Sequence, residues 1–208
     1  MAAVDFYFDF ACPWTWLAAT RLQEVITRTG SNIVWKPIDL EENKDLTDPR
    51  IRGIHTDEGR AWLEADLHAW ADYCGLRFGP VSSWPASGRL AGLGALCAAA
   101  EDRAGPFVKR VFRAAWEQQV DITDPAALGA LAGETGLDEA GFLAALEAPR
   151  TAELLAANAE ELRSRGGFRS ATMFVGERMF CGNSRMPLVE FALGQASDRQ
   201  FVMPGSHG

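Results

Sequence analysis

The sequence predicts an α/β protein whose β-structure is confined to the two ends of the chain, with a long helical stretch between them. Three observations carry this. Ala3 to Phe10 is β-rich and apolar apart from Asp5 and Asp9, as a strand buried on both faces would be. Apolar residues from Asp45 onward recur at helical spacing for more than half the chain. Near the end, two short β runs flank Gly176-Glu177, a two-residue turn with glycine first, as a type II′ hairpin requires.

Taken in order, Pro13 stands where a proline best begins a helix, and Trp16, Leu17, Leu22, Val25 and Ile26 continue at helical spacing to Gly30. Asn32 to Ile38 is a second strand, which makes a βαβ unit with parallel strands. Leu63, Leu67, Trp70 and Cys74 mark one helical stripe, ended by Gly75, and Leu90, Leu93 and Cys97 mark another. Pro106 opens a third helix, and Asp124-Pro125 caps a fourth that Gly136 closes. Asp138 and Thr151 cap two more. Thr172 to Val175 and Arg178 to Cys181 are the hairpin strands, Met186 to Leu193 is the last helix, and a frayed tail begins at Gln195. The order βαβ, helices, ββα is that of a thioredoxin-like fold with an inserted all-α helical domain. The boundaries this sets are 1–44 and 167–194 for the thioredoxin-like part, 45–166 for the insert and 195–208 for the tail.

Composition excludes several functions. A formal charge of −8 with no basic stripe repels phosphate backbones and anionic lipid, so neither nucleic acid nor a membrane surface is an expected partner. No stretch is apolar enough to span a bilayer, and the aspartates of MAAVDFYFDF replace the basic start of a secretory signal, so a cytoplasmic location is expected. Cys12, Cys74, Cys97 and Cys181 lack zinc-type spacing and are expected to be free thiols with no metal. The histidines (His55, His68 and His207) assemble into no motif, and Glu41-Glu42 has the character of a surface loop.

Cys12 stands apart from the other cysteines. It follows the first strand and precedes the first helix, at the carboxyl end of the sheet where ligands bind in open α/β folds. Helix-start N–H groups and the positive end of the helix dipole stabilise a thiolate, which makes Cys12 a candidate nucleophile. A resolving thiol would sit three positions on, but that residue is Thr15, placed to hydrogen-bond the thiolate. Asp9, at the strand end, is positioned to cap or orient the turn.

DFYFDFACPWTWLA, WEQQVDITDP and FVGERMFCGNSRMPLVEFAL together resemble the 2-hydroxychromene-2-carboxylate isomerases and the kappa-class glutathione transferases, in the DsbA-like branch of the thioredoxin superfamily. The resemblance implies a cis–trans isomerisation of a carbonyl-conjugated alkene, in which the sulfur of bound glutathione adds, the new single bond rotates and the sulfur leaves. In the family a serine at the position of Cys12 holds the glutathione thiolate. A cis-proline precedes the third strand, an asparagine lies in a P-x-N stretch, and an aspartate in a G-N-D-R-like loop grips the glutamyl end. Here the serine is Cys12, the proline is Ala171, the P-x-N stretch is Pro85-Ala86-Ser87 and the loop is Gly182-Asn183-Ser184-Arg185. A cis bond before Ala171 would cost about 3 kcal/mol.

The glutathione contacts are lost where a thiol is gained, so the expected mechanism uses Cys12 itself as the nucleophile and no cofactor; glutathione or another low-molecular-weight thiol is the alternative. Trp14, Thr15, Ala171, Asn183, Ser184 and Arg185 are the candidate substrate-binding residues. Trp14 either walls the substrate or packs against the insert, and Arg185 either holds a substrate carbonyl or carboxylate or is an exposed helix start. The expected substrate is a small unsaturated carbonyl compound, free or attached to a carrier protein, and the resemblance adds a homodimer. A monothiol oxidoreductase is the rival enzyme, with Cys181 either a partner for Cys12 or a wall residue.

Overall fold

A computed structural model describes residues 2–47, 55–80 and 84–197. β1 (Ala3–Phe8) is the hub of a four-stranded sheet ordered β2-β1-β3-β4. It runs parallel to β2 (Asn32–Pro37) and antiparallel to β3 (Thr172–Val175), which pairs antiparallel with β4 (Arg178–Cys181). Val4, Phe6, Tyr7 and Phe8 are all sealed from solvent, so both faces of β1 are buried, which accounts for its unbroken apolar character. α1 (Pro13–Thr29) follows β1, has Pro13 in its first turn and ends on Gly30 in the left-handed region at φ 64°.

The middle of the chain folds into α2 (Asp57–Cys74), α3 (Arg89–Ala100), α4 (Ala104–Trp116), α5 (Pro125–Glu134), α6 (Glu139–Leu146) and α7 (Pro149–Ser164), and α8 (Met186–Ala196) closes the fold. Helices α3, α4 and α7 pack on β2, and α8 packs on α1. The join between insert and sheet is aromatic. Phe8 and Phe10 meet Phe112 of α4, the Phe10 ring 4.6 Å from it, and Trp116 donates its Nε1–H to the Phe10 carbonyl at 3.0 Å. Behind the sheet a polar clamp holds α7. Tyr7 donates to Glu161 (2.8 Å), Lys36 pairs with Glu161 (2.8 Å), and Arg165 reaches both Asp5 (2.7 Å) and the Phe174 ring (3.9 Å). Asp5 is thus a structural ion-pair partner.

Several boundaries differ from the sequence expectation. β1 stops at Phe8, because Asp9 and Phe10 turn the chain toward α1. α4 begins at Ala104, leaving Pro106 inside its first turn, where no intrahelical N–H is required. Thr151 does not cap α7: Pro149, with its fixed φ, starts that helix after Ala148, and the Thr151 hydroxyl donates to the Ala145 carbonyl instead. α5 ends at Glu134, and Gly136 follows at φ 88°. Gln195 belongs to α8, where its side chain accepts from Arg178 at 2.7 Å; the tail beyond 197 and His207 lie outside the described residues. Asp124 and Asp138 do cap their helices, accepting from Ala126 and Gly141, and Gly176 has φ 57° in the hairpin turn.

Two glycine replacements test the packing. A methyl on Gly94 of α3 would lie 2.8 Å from Phe107 and 2.9 Å from Phe142, so Gly94→Ala is expected to lower stability by about 1–3 kcal/mol despite its better helix propensity. Gly133 of α5 is exposed with nothing within 4 Å; Gly133→Ala should raise stability by roughly 0.5–1 kcal/mol. Urea denaturation midpoints check both.

Candidate active site

The chain leaves β1 through a turn in which nearly every polar group is engaged. Asp9 is almost wholly buried, yet both carboxylate oxygens are used: Oδ1 accepts from the Ala11 N–H at 2.6 Å, and Oδ2 from the Leu40 N–H at 2.8 Å in the loop after β2. Burial pushes this carboxyl up to about 6 against the opposing pull of the two N–H groups, with Asp39 and Glu41 adding like charge. The expectation that Asp9 orients the turn matches this geometry, and its reach to Leu40 is additional.

Cys12 occupies the N-cap of α1, with extended backbone (φ −105°, ψ 115°), and is 6% exposed. One side of it joins an apolar cluster with Trp14, Leu17 and Leu67. The other borders a cleft of about 330 Å³ walled by Asp9, Ala11, Cys12, Pro13, Leu40, Glu41, Thr47, Ala86, Ser87 and Gly88. Cys12 therefore sits at the boundary between hydrocarbon and cavity. The insert closes one wall at the start of α3, where the Arg89 N–H donates to Ser87 Oγ at 3.3 Å. Arg89 itself is clamped between Asp39 (2.9 Å) and Glu42 (2.7 Å).

The other expected site residues are placed as follows. Thr15 is fully buried, and its hydroxyl contacts the Asp9 carbonyl (2.5 Å) and the Cys12 carbonyl (2.7 Å). Its single proton goes to main-chain oxygen, so Thr15 braces the turn and does not serve the sulfur, contrary to the expectation. Trp14 is 3% exposed and packs with Leu63, Leu67 and Trp70 of α2, which is the packing alternative. Ala171 is fully buried, its carbonyl accepting from the Gly182 N–H at 2.9 Å, and the described residues contain no cis peptide bond. Asn183 is buried, with its carbonyl accepting from Arg21 at 2.5 Å and its Nδ2 unsatisfied by protein. Ser184 and Arg185 are exposed in the short 3₁₀ turn Asn183–Arg185. Of these seven expected residues, Cys12 alone lines the cleft among the described residues. Cys181 is a half-buried free thiol 3.5 Å from the Thr172 hydroxyl. Among the described residues no three or more His, Cys, Asp or Glu side chains form a group that could hold a metal ion.

The family model for the DSBA-like thioredoxin domain matches residues 3–194. The chain belongs to that family. Among DSBA-like relatives, a 2-hydroxychromene-2-carboxylate isomerase from Pseudomonas putida is 31% identical over 196 residues, covering 92% of this chain and 94% of its own. One from Sphingobium xenophagum is 29% identical over 200 residues, covering 90% and 95%. The solved structure of a 2-hydroxychromene-2-carboxylate isomerase superposes with a TM-score of 0.78 at 27% identity, covering 94% of this chain and 96% of that one. A cytosolic disulfide reductase from Pseudomonas aeruginosa shares the fold at 16% identity and a TM-score of 0.68, covering 94% and 97%.

Sequence reasoning found Cys12 and Asp9, and the resemblance marked Pro85-Ala86-Ser87, of which Ala86 and Ser87 line the cleft; it missed Leu40 and Gly88, whose roles depend on segments far apart in the chain. A Cβ on Gly88 would lie 2.1 Å from Asp9 Oδ1 and 2.9 Å from the Phe10 nitrogen. Gly88→Ala is therefore expected to cost about 1–3 kcal/mol of stability, read from a urea midpoint. The Asp9 carboxyl supplies a second test. Its pKa is raised by folding, so the folded state holds the proton more tightly than the unfolded one, and stability falls as pH rises from about 4 to about 6. The step is at most about 3 kcal/mol. Thermal melts across that window should show it in the wild type, and Asp9→Asn, which cannot titrate, should lack it.

Proposed function

We propose that this protein is a cis–trans isomerase of a carbonyl-conjugated alkene, with the Cys12 sulfur as the nucleophile. The observation that carries the reading is the position of Cys12, at the start of α1 on the wall of a cleft. Its isomerase character is supported by the relatives named above.

In the proposed cycle the Cys12 thiolate forms a bond to the β-carbon, and the alkene electron pair moves onto the carbonyl oxygen as an enolate. The former double bond rotates as a single bond. Collapse of the enolate restores the alkene and expels the thiolate, so no electrons or protons are consumed overall. The positive end of the α1 dipole favours the charge that sulfur carries before addition and after expulsion. The Thr15 and Asp9 bonds hold the turn rigid, so the attacking atom is positioned without reordering the loop.

In this reading glutathione is not required. The position that would grip its glutamyl end carries Ser184, which is exposed and has no charge to offer an ammonium group. A dithiol redox cycle is disfavoured too, because the place of a resolving thiol is filled by Thr15, whose hydroxyl is committed to carbonyl oxygens.

Intact-mass spectrometry with an electrophilic enone tests the reading. A single adduct is expected on the wild type, mapped to Cys12 by peptide analysis and released on dilution; Cys12→Ser should form none at that site. Labelling confined to Cys74, Cys97 or Cys181 would sink it. Calorimetry with glutathione should give no binding heat at low millimolar concentration.

A further inference from the structure

We propose, resting on the Cys12 reading, that Arg89 at the start of α3 is a positioning residue for that sulfur: it fixes the loop whose main chain holds Asp9, and Asp9 holds the turn that carries Cys12. Each link is a bond between named atoms. Arg89 pairs with Asp39 Oδ2 at 2.9 Å and with Glu42 Oε1 at 2.7 Å. Asp39 is almost wholly buried, and its other oxygen accepts from the N–H groups of Glu41 (2.9 Å) and Glu42 (3.4 Å). Asn43 closes the loop, its Nδ2 donating to the Asp39 carbonyl at 2.7 Å. Leu40 lies inside this frame, which aims its N–H at Asp9 Oδ2 (2.8 Å). Asp9 Oδ1 then accepts from the Ala11 N–H at 2.6 Å, and the Cys12 N–H donates to the Asp9 carbonyl at 3.3 Å.

A buried carboxylate such as Asp39 holds its charge only with partners, and Arg89 supplies the opposite charge. The start of α3 reaches Asp9 directly as well: a β-carbon on the preceding residue, Gly88, would lie 2.1 Å from Asp9 Oδ1. Among the described residues the ionisable groups facing Asp9 are Asp39 and Glu41 from the loop, Cys12 from the turn and, at one remove through Asp39, Arg89 from α3. Without the Arg89 cation, Asp39 is uncompensated and the Leu40 N–H loses its frame. Both changes disfavour the Asp9 anion, so a carboxyl already pushed up to about 6 by burial moves higher. A residue that only strengthened the fold would leave that titration in place.

Arg89→Gln and Arg89→Lys test this by two readings that need no reaction at the thiol. The Asp9 carboxyl carbon, followed by carbon-13 NMR and assigned by its loss in Asp9→Asn, should titrate at about 6 in the wild type and at roughly 7 in Arg89→Gln. Amide exchange should quicken by roughly tenfold in residues 9–12 and in the loop 38–43, and stay unchanged in α5 and α6. Arg89→Lys, which keeps the charge but loses the two-pronged grip, should fall between the wild type and Arg89→Gln in both readings. The limiting rate of Cys12 labelling by an enone should follow the same order, falling roughly tenfold in Arg89→Gln with little change in the half-saturating concentration. Wild-type values in Arg89→Gln, exchange that quickens evenly along the chain, an unchanged labelling rate, or an Arg89→Lys no closer to the wild type than Arg89→Gln would overturn the inference. Should Arg89→Gln fail to fold, displaced readings in Arg89→Lys support the inference and wild-type readings overturn it. A wild type that the enone never labels at Cys12 discards the Cys12 reading, and the titration and exchange then decide the inference alone.

Discussion

The architecture of the site depends on one buried carboxylate. Asp9 terminates the central strand, and its two oxygens bind the N–H of Ala11, which leads into α1, and the N–H of Leu40, which follows β2. The insert presses against the same group through Gly88. Three segments that are distant in sequence are thus held by a group whose desolvation is unfavourable and whose hydrogen bonds only partly offset that cost, which is why its carboxyl sits well above the ordinary aspartate range. Replacing either oxygen would leave a main-chain N–H without its acceptor, a loss comparable to the whole worth of an ordinary hydrogen bond.

Phe10, between Asp9 and the Cys12 turn, adds the second anchor. Its carbonyl accepts from Trp116, and its ring packs on Phe112, so the insert fixes the turn from the opposite side. Thr15 ties the far end back to the Asp9 and Cys12 carbonyls. A residue whose side chain is spent bracing the main chain cannot also resolve a mixed disulfide. With threonine at this position, Cys12 is the one sulfur in the turn.

Much of the fold was legible because its signals are short-range. Gly30 and Gly75 end helices in the left-handed conformation, Asp124 and Asp138 accept from N–H groups two and three residues on, and β1 is apolar on both faces because both are covered. Cys12 was legible for the same reason, since strand, cysteine, proline and helix are contiguous. What escaped was decided by partners far along the chain. Gly88 completes the cleft's second wall, Asp39 and Glu42 clamp Arg89, and α2 decides between the two alternatives for Trp14. Thr151 was misplaced for a local reason: a proline two residues earlier sets φ and begins the helix before the threonine can cap it. The loop residues Asn183, Ser184 and Arg185 were read by analogy of motif, and the structure sets Ser184 and Arg185 on the surface, away from the described cleft lining.

A reversible nucleophile must be good at leaving as well as at attacking, and the two demands pull in opposite directions. The start of α1 favours negative charge on sulfur, which helps expulsion and lowers intrinsic nucleophilicity; the carboxylates of Asp9 and Glu41 disfavour that charge. Where the balance falls is set by geometry that the turn keeps rigid. A thiol held too strongly as the anion would add sluggishly, and one shielded from the helix would form an adduct too durable to release an isomerised product. In the proposed reading that balance is set by the fold, which places Cys12 at the start of α1, between the hydrocarbon cluster and the cleft.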